Sequence, residues 1–254
     1  MDFTLEKYKQ LLLSLRNCGY DFQTLEDYLQ CPKEKTVVLR HDVDLKAENS
    51  LAVAKIEHKL GIKASYYFRI IPQSNNSEII KQIVALGHEI GYHYEDFSLL
   101  NGDFEKAITH FEDKLNYFRQ YYPVKTICMH GSPTSKIDNR VIWEKYDYRN
   151  FGIIGEPYLD IDFNQMLYLT DTGRCWDGEK YSVRDKVKSS FEQSYHTTNQ
   201  LIEAVKSNEL PNRLMITTHP QRWTDNKIEW AGEWLSQHLK NAVKRIFINA
   251  KRLS

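Results

Sequence analysis

Asp42 and Asp44, in the run Leu39-Arg40-His41-Asp42-Val43-Asp44, are two carboxylates one residue apart. Residues two apart on an extended chain point to the same side, so both can face one site, one on a cation and one free to take a proton. Farther along the chain come His93 and Glu95. His130 follows in Met129-His130-Gly131-Ser132-Pro133, then Asp171 and Arg174, then His219 in Thr217-Thr218-His219-Pro220. Imidazole and carboxylate suit zinc and similar divalent ions, and a catalytic zinc takes about three protein ligands and a water, whose pKa it lowers towards about 7. The set therefore suits metal-assisted hydrolysis, with a carboxylate as base and a histidine as acid.

Such residues act together only if the fold gathers them. Thr4 is positioned to cap a first helix carrying Tyr8, Leu11, Leu12 and Leu15, ended by Gly19. From residue 36 onward, apolar strand-like runs alternate with amphipathic helices. Strands are expected at 36–39, 64–71, 88–93, 124–129, 151–154, 166–169 and 214–217. Helices are expected from Leu51 to Leu60, from a Ser77 cap to Leu86, from an Asp103 cap to Phe118, and at 138–146, 191–206 and 228–243. This alternation predicts parallel strands with helical crossovers: an α/β, irregular (β/α)7 barrel, with an open doubly wound sheet as the alternative. In both architectures sites form at the carboxyl ends of strands, where these polar groups fall.

The 254 residues fit one domain spanning 1–254, with 1–35 as a helical extension packed on the barrel. Lys plus Arg equals Asp plus Glu, 34 each, so no net field draws nucleic acid to the chain. There is no apolar run of about 18 residues to span a membrane. The N-terminus lacks a basic stretch followed by an apolar one, and Cys18, Cys31, Cys128 and Cys175 form no CxxC pair. The expectation is therefore a cytoplasmic protein with reduced, mostly buried thiols.

Three segments resemble the polysaccharide deacetylases of the NodB-type fold, carbohydrate esterase family 4. They are Val37-Val38-Leu39-Arg40-His41-Asp42-Val43-Asp44, Gly87-His88-Glu89-Ile90-Gly91-Tyr92-His93 and Leu214-Met215-Ile216-Thr217-Thr218-His219. The resemblance implies Asp42 as general base, His219 as general acid, and Asp44 and His93 as ligands of a divalent metal, zinc first among them. The implied reaction removes an acetyl group from an N-acetyl sugar or glycan precursor. The family places a second histidine four residues after the first; here that position is Phe97, which cannot bind a metal. Either Glu95 or His130 supplies the third ligand, with His130 preferred.

On the substrate side, Asp171 can orient a site residue or bond a sugar hydroxyl, and Arg174 can hold an anionic group. Trp176 and Trp223 follow strand ends and are candidates to stack on a sugar face. His41 would face away from the aspartates and support the structure. Two other functions remain open: hydrolysis of another non-peptide C–N bond with the same machinery, and carbohydrate binding by a chain that has lost a metal ligand.

Overall fold

The computed structural model describes residues 1–131, 135–177 and 187–252, with side chains through Asn241. Ser132 and Pro133, and residues 178–181 of the loop after Asp171, lie outside the described residues.

Seven strands form one sheet: β1 (Asp21–Gln23), β2 (Thr36–Val43), β3 (Ser65–Phe68), β4 (Glu89–Tyr94), β5 (Ile127–Met129), β6 (Leu167–Thr170) and β7 (Arg213–Thr218). The order is β5-β4-β3-β2-β7-β6, and every pairing is parallel. β2 has two neighbours along one edge. β1 pairs with its first half, from Thr36 to Val38, and β3 pairs from Arg40 to Val43. The strands curl into an incomplete barrel with helices around it, which is the α/β class expected from the alternation.

The helices are α1 (Leu5–Asn17), α2 (Leu25–Gln30), α3 (Ala47–Lys59), α4 (Ser77–Ala85), α5 (Asp96–Leu99), α6 (Phe104–Phe118), α7 (Ile142–Lys145), α8 (Pro157–Asp160), α9 (Thr198–Lys206) and α10 (Lys227–Arg252). Thr4 caps α1 and Asp103 caps α6, each accepting a backbone N–H three residues on. The cap of α4 is Asn76 rather than Ser77. The helix expected from residue 191 begins only at Thr198, where Thr197 and Gln200 form a capping box.

The expected strand at 151–154 is replaced by a 3-10 turn, Tyr148–Phe151, and a single bridge from Gly155 to Thr126. The apolar run there packs as a turn, because an isolated short apolar run does not determine its own partner. The N-terminal extension is not purely helical either: β1 adds a strand to the sheet, and α1 packs on α9 and α3.

β2 is buried along its whole length, and its alternation sorts its side chains between two layers. Val38 joins Tyr67, Cys128, Met215 and Met166 in a small cluster. Val37, Leu39 and Val43 join the large cluster that holds the helices. Arg40 and Asp42 share the parity of Val38, and His41 that of Leu39. Gly91 in β4 is needed by packing: a Cβ there would meet the Tyr67 ring at 2.3 Å. No helix among the described residues is long and apolar enough to cross a membrane.

Candidate active site

Asp44 stands one residue beyond the end of β2, which runs four residues past the expected end at Leu39. The carboxylate is the meeting point of three imidazoles. Its Oδ1 lies 3.6 Å from Nε2 of His93 and 3.6 Å from Nε2 of His130, and its Oδ2 lies 3.8 Å from Nε2 of His219. Asp44 Oδ1 is buried and has no hydrogen-bond partner. A buried acceptor left bare is costly, so it marks a place where a donor or a cation belongs.

The imidazoles are aimed from behind. Nδ1 of His93 is 2.9 Å from the Cys128 carbonyl, so it carries the proton and donates. Nδ1 of His130 is 2.9 Å from Glu95 Oε2 and donates likewise. Each ring is thus left with an Nε2 lone pair facing Asp44. Ligands at about 2.1 Å around a tetrahedral zinc are separated by roughly 3.4 Å. The two 3.6 Å spacings from Asp44 Oδ1 are close to that edge length, and a donor set of one carboxylate and two imidazoles suits zinc.

The electrostatics agree with the geometry. Burial alone would raise the Asp44 pKa, but His130, His219, His93 and Arg69 outweigh it and hold the carboxyl down to about 2. Burial pushes His93 down to about 4, against the pull of Asp42. At neutral pH the carboxylate is ionised and His93 is neutral, the forms a metal requires.

His130 is held by two further contacts, and its neighbour Met129 by a third. Its backbone N–H donates to the Tyr94 carbonyl at 2.8 Å, and its carbonyl accepts from the Asn139 side chain at 2.9 Å. The preceding N–H, of Met129, donates to Glu156 at 2.9 Å. Glu95 is not free to bind a metal itself. Arg69 holds it through two hydrogen bonds, at 2.9 and 2.8 Å, and His130 takes one of the same oxygens. Burial would raise its pKa, yet His130 and Arg69 bring it down to about 2. Glu95 therefore sits behind His130 and orients it. Phe97 turns away: it lies in α5, buried, with its ring 4.5 Å from that of Phe104.

Asp42 has a different setting. Arg40, two residues earlier on the same strand face, grips it with Nε to Oδ1 at 2.8 Å and Nη2 to Oδ2 at 2.6 Å. Both groups are almost wholly buried. A carboxylate has about four lone-pair positions, so the clamp leaves two for a water. Asp42, His93 and Cys128 form a separate group whose candidate ligand atoms lie within 4.8 Å of one another. The Asp44 grouping is the better metal set, because each oxygen of Asp42 already accepts a hydrogen bond from Arg40 whereas Asp44 Oδ1 is bare.

His219 completes the rim at the end of β7. Its Nδ1 is 2.6 Å from Asp171 Oδ1, and its backbone N–H donates to Asp171 Oδ2 at 3.0 Å. Arg222 and Trp223 Nε1 also donate to Asp171, at 2.5 and 2.7 Å. Burial and Arg222 work against a proton on His219, but Asp171 prevails and raises its pKa.

The groups expected on the substrate side are placed elsewhere. Asp171 is fully buried and spends its oxygens on His219, Arg222 and Trp223, so it is a brace and not a sugar contact. Trp223 has no exposed surface and packs on Phe3 and Tyr8. Trp176 is 4% exposed and donates to Thr198. Neither tryptophan has a free face for a sugar. Arg174 is turned towards α10, with its guanidinium over the Trp230 ring and donating to the Trp230 carbonyl. Following a strand end was too weak a criterion for these three: loop side chains there turn back into the core as readily as outward. Arg40, Arg69, Arg222 and Glu156 hydrogen-bond to the candidate site residues or to the strand end that carries them, and were not singled out from the sequence. Only Arg40 carried a signal, since it shares the parity of Asp42.

No family model and no curated protein matches the chain. Among solved structures, the chain is similar to a CE4 family pseudoenzyme from Bacillus anthracis, at 15% identity and a TM-score of 0.44, covering 81% of this chain and 61% of that one. PdaA of Bacillus subtilis, a family 4 carbohydrate esterase, is similar at 12% identity and a TM-score of 0.39, covering 82% and 86%. The Xyl-CE4 domain of a multidomain xylanase from the hindgut metagenome of Trinervitermes trinervoides is similar at 16% identity and a TM-score of 0.37, covering 73% and 88%. The chain thus spans about three fifths of the first of these proteins, and the proteins it resembles in structure are CE4 family carbohydrate esterases and a CE4 pseudoenzyme.

Proposed function

We propose that this chain is a metal-dependent deacetylase that hydrolyses the N-acetyl group of a sugar or glycan precursor, as a divergent relative of the carbohydrate esterases of family 4. The observation that carries this reading is the bare, buried Asp44 Oδ1, 3.6 Å from the Nε2 atoms of two oriented imidazoles. Asp44, His93 and His130 would hold the ion. When bound, a zinc ion there supplies Lewis acidity towards a carbonyl and acidifies a water.

The remaining chemistry belongs to the side chains. Asp42, fixed by Arg40, accepts a proton from the attacking water as its oxygen bonds to the acetyl carbon. His219 carries a proton on Nε2 as well as on Nδ1 because the Asp171 carboxylate accepts the Nδ1–H hydrogen bond and favours the imidazolium. It passes that proton to the amide nitrogen as the C–N bond breaks. Acetate and the free amine result, and Asp42 and His219 then exchange protons with solvent. Asp171 orients the ring, as a buried carboxylate behind a catalytic histidine does in other hydrolases.

The test is metal content together with acetate release from N-acetyl sugars, for the wild type, Asp42→Asn and Asp44→Asn. Asp44→Asn is expected to lose the metal, and Asp42→Asn to keep it and lose turnover. Bound metal with turnover only on non-sugar amides would transfer the reading to hydrolysis of another C–N bond. Sugar binding with no metal and no turnover would make the chain a binding protein.

A further inference from the structure

On the helix-facing side of β2, directly behind Asp42, lies a buried polar cluster that the proposed chemistry does not use. His41 has no exposed surface. Its Nε2 is 2.7 Å from Glu57 Oε1 and its Nδ1 is 2.6 Å from Thr218 Oγ1. Glu57, on α3, is equally buried and accepts hydroxyls from Tyr8 of α1 and Tyr66 of β3. The His41 ring also lies 4.3 Å from that of Tyr66. With three donors converging on it, Glu57 is the acceptor, so His41 donates from Nε2 and Thr218 donates to Nδ1.

The place of this cluster in the sheet gives it meaning. His41 and Thr218 are register partners across β2 and β7. The residue after His41 is Asp42, and the residue after Thr218 is His219. A single side chain bond therefore joins the two strand ends that carry the base and the acid, on the face opposite to them. Beyond these residues the pairing of β2 with β7 ends, although β3 still pairs with β2 as far as Val43, so direct pairing between the two strands no longer fixes where Asp44 and His219 sit relative to each other. A buried polar group in a core is costly unless satisfied, and an apolar pair would pack here as well. What the polar version adds is a fixed direction and separation.

We propose that His41, held by Glu57, is a positioning residue that sets His219 against Asp42 and Asp44 through its bond to Thr218. The proposal rests on the assignment of His219 as acid.

Thr218→Val tests it, because valine keeps the branched shape and removes only the hydroxyl; Thr218→Ser keeps the hydroxyl. Zinc affinity by titration calorimetry and kcat and KM for acetate release are measured on all three proteins. In Thr218→Val, kcat is expected to fall on the order of ten- to a hundredfold, since small misplacements of reacting groups have effects of that size. KM and zinc affinity are expected to stay within about twofold, and Thr218→Ser is expected to recover most of the loss. Unchanged kcat in Thr218→Val would overturn the proposal. So would a joint fall of kcat, zinc affinity and melting temperature, which would mark the cluster as structural support alone. If the wild type releases no acetate, the deacetylase reading fails by itself. Crystal structures of zinc-loaded wild type and Thr218→Val then decide: a displaced His219 upholds the positioning role, and an unmoved one overturns it.

Discussion

Nδ1 of His219 lies 2.6 Å from Oδ1 of Asp171, a carboxylate with no exposed surface whose other oxygen accepts both the His219 backbone N–H and the Trp223 indole. This contact fixes which imidazole nitrogen faces the site and favours its protonated form. Asp171→Asn keeps the shape and removes the charge. It is expected to lower kcat at least a hundredfold with metal content unchanged, because the proton on His219 is no longer stabilised. Steady-state kinetics and metal analysis of the same preparation check this.

The Glu95–His130 pair predicts a graded effect on metal binding. His130→Ala removes a ligand and is expected to abolish tight zinc binding. Glu95→Gln leaves the ligand and weakens its orientation, and is expected to cost about ten- to a hundredfold in affinity. Competition with a chelator of known affinity measures both. Equal zinc affinity in the wild type and His130→Ala would assign the third ligand elsewhere.

Phe97 predicts the contrary pattern. Its ring is buried against Phe104, so Phe97→Ala should cost about 3 to 5 kcal/mol of stability. Zinc affinity should change little. Denaturant unfolding and zinc titration of the same variant separate the two.

Arg40→Met should be more damaging than its volume suggests. It leaves Asp42 ionised, buried and without its bidentate partner, a change that costs about 3 to 5 kcal/mol. The double variant Arg40→Met with Asp42→Asn should regain part of that stability while remaining inactive. Urea unfolding of the four proteins in the cycle gives the coupling.

The pH dependence has two parts. His93 has its folded pKa at about 4, below the unfolded value of about 6.5. The unfolded chain therefore binds the proton first, and stability present above pH 6.5 is lost as pH falls towards 4. The loss from this group in metal-free protein is on the order of 3 kcal/mol. For His219 the shift is upward, so its contribution is full below about 6.5 and fades as pH rises through its folded pKa. The same group is the proposed acid, so turnover should decline in that direction too. Melting temperature and kcat against pH, on metal-free and zinc-loaded protein respectively, check the two limbs.

Much of this was legible in the sequence, for physical reasons. The alternation of apolar runs and amphipathic helices gave parallel strands, and parallel strands place their carboxyl ends on one rim. That alone brought Asp42, Asp44, His93, His130 and His219 together. What could not be read was the direction of side chains in loops. Trp176, Trp223 and Arg174 follow strand ends, yet packing against Phe3 and α10 turned them inward. The supports escaped for a different reason: Arg69, Arg222 and Glu156 act across tens of residues of chain, and no local period signals such a partnership. The strand expected at 151–154 failed because its apolar residues are equally satisfied in a turn.

β2 lies between β7 on one side and β1 and β3 on the other, and it carries Arg40, His41 and Asp42 on its second half. Its amides are therefore enclosed in ladders on both edges, so the strand cannot fray without undoing the sheet. Amide exchange at residues 37–41 should proceed only through global unfolding, at the slowest rates in the chain. The base and its clamp thus belong to the last part of the molecule to open, and any breathing that admits substrate must come from the loops around the rim.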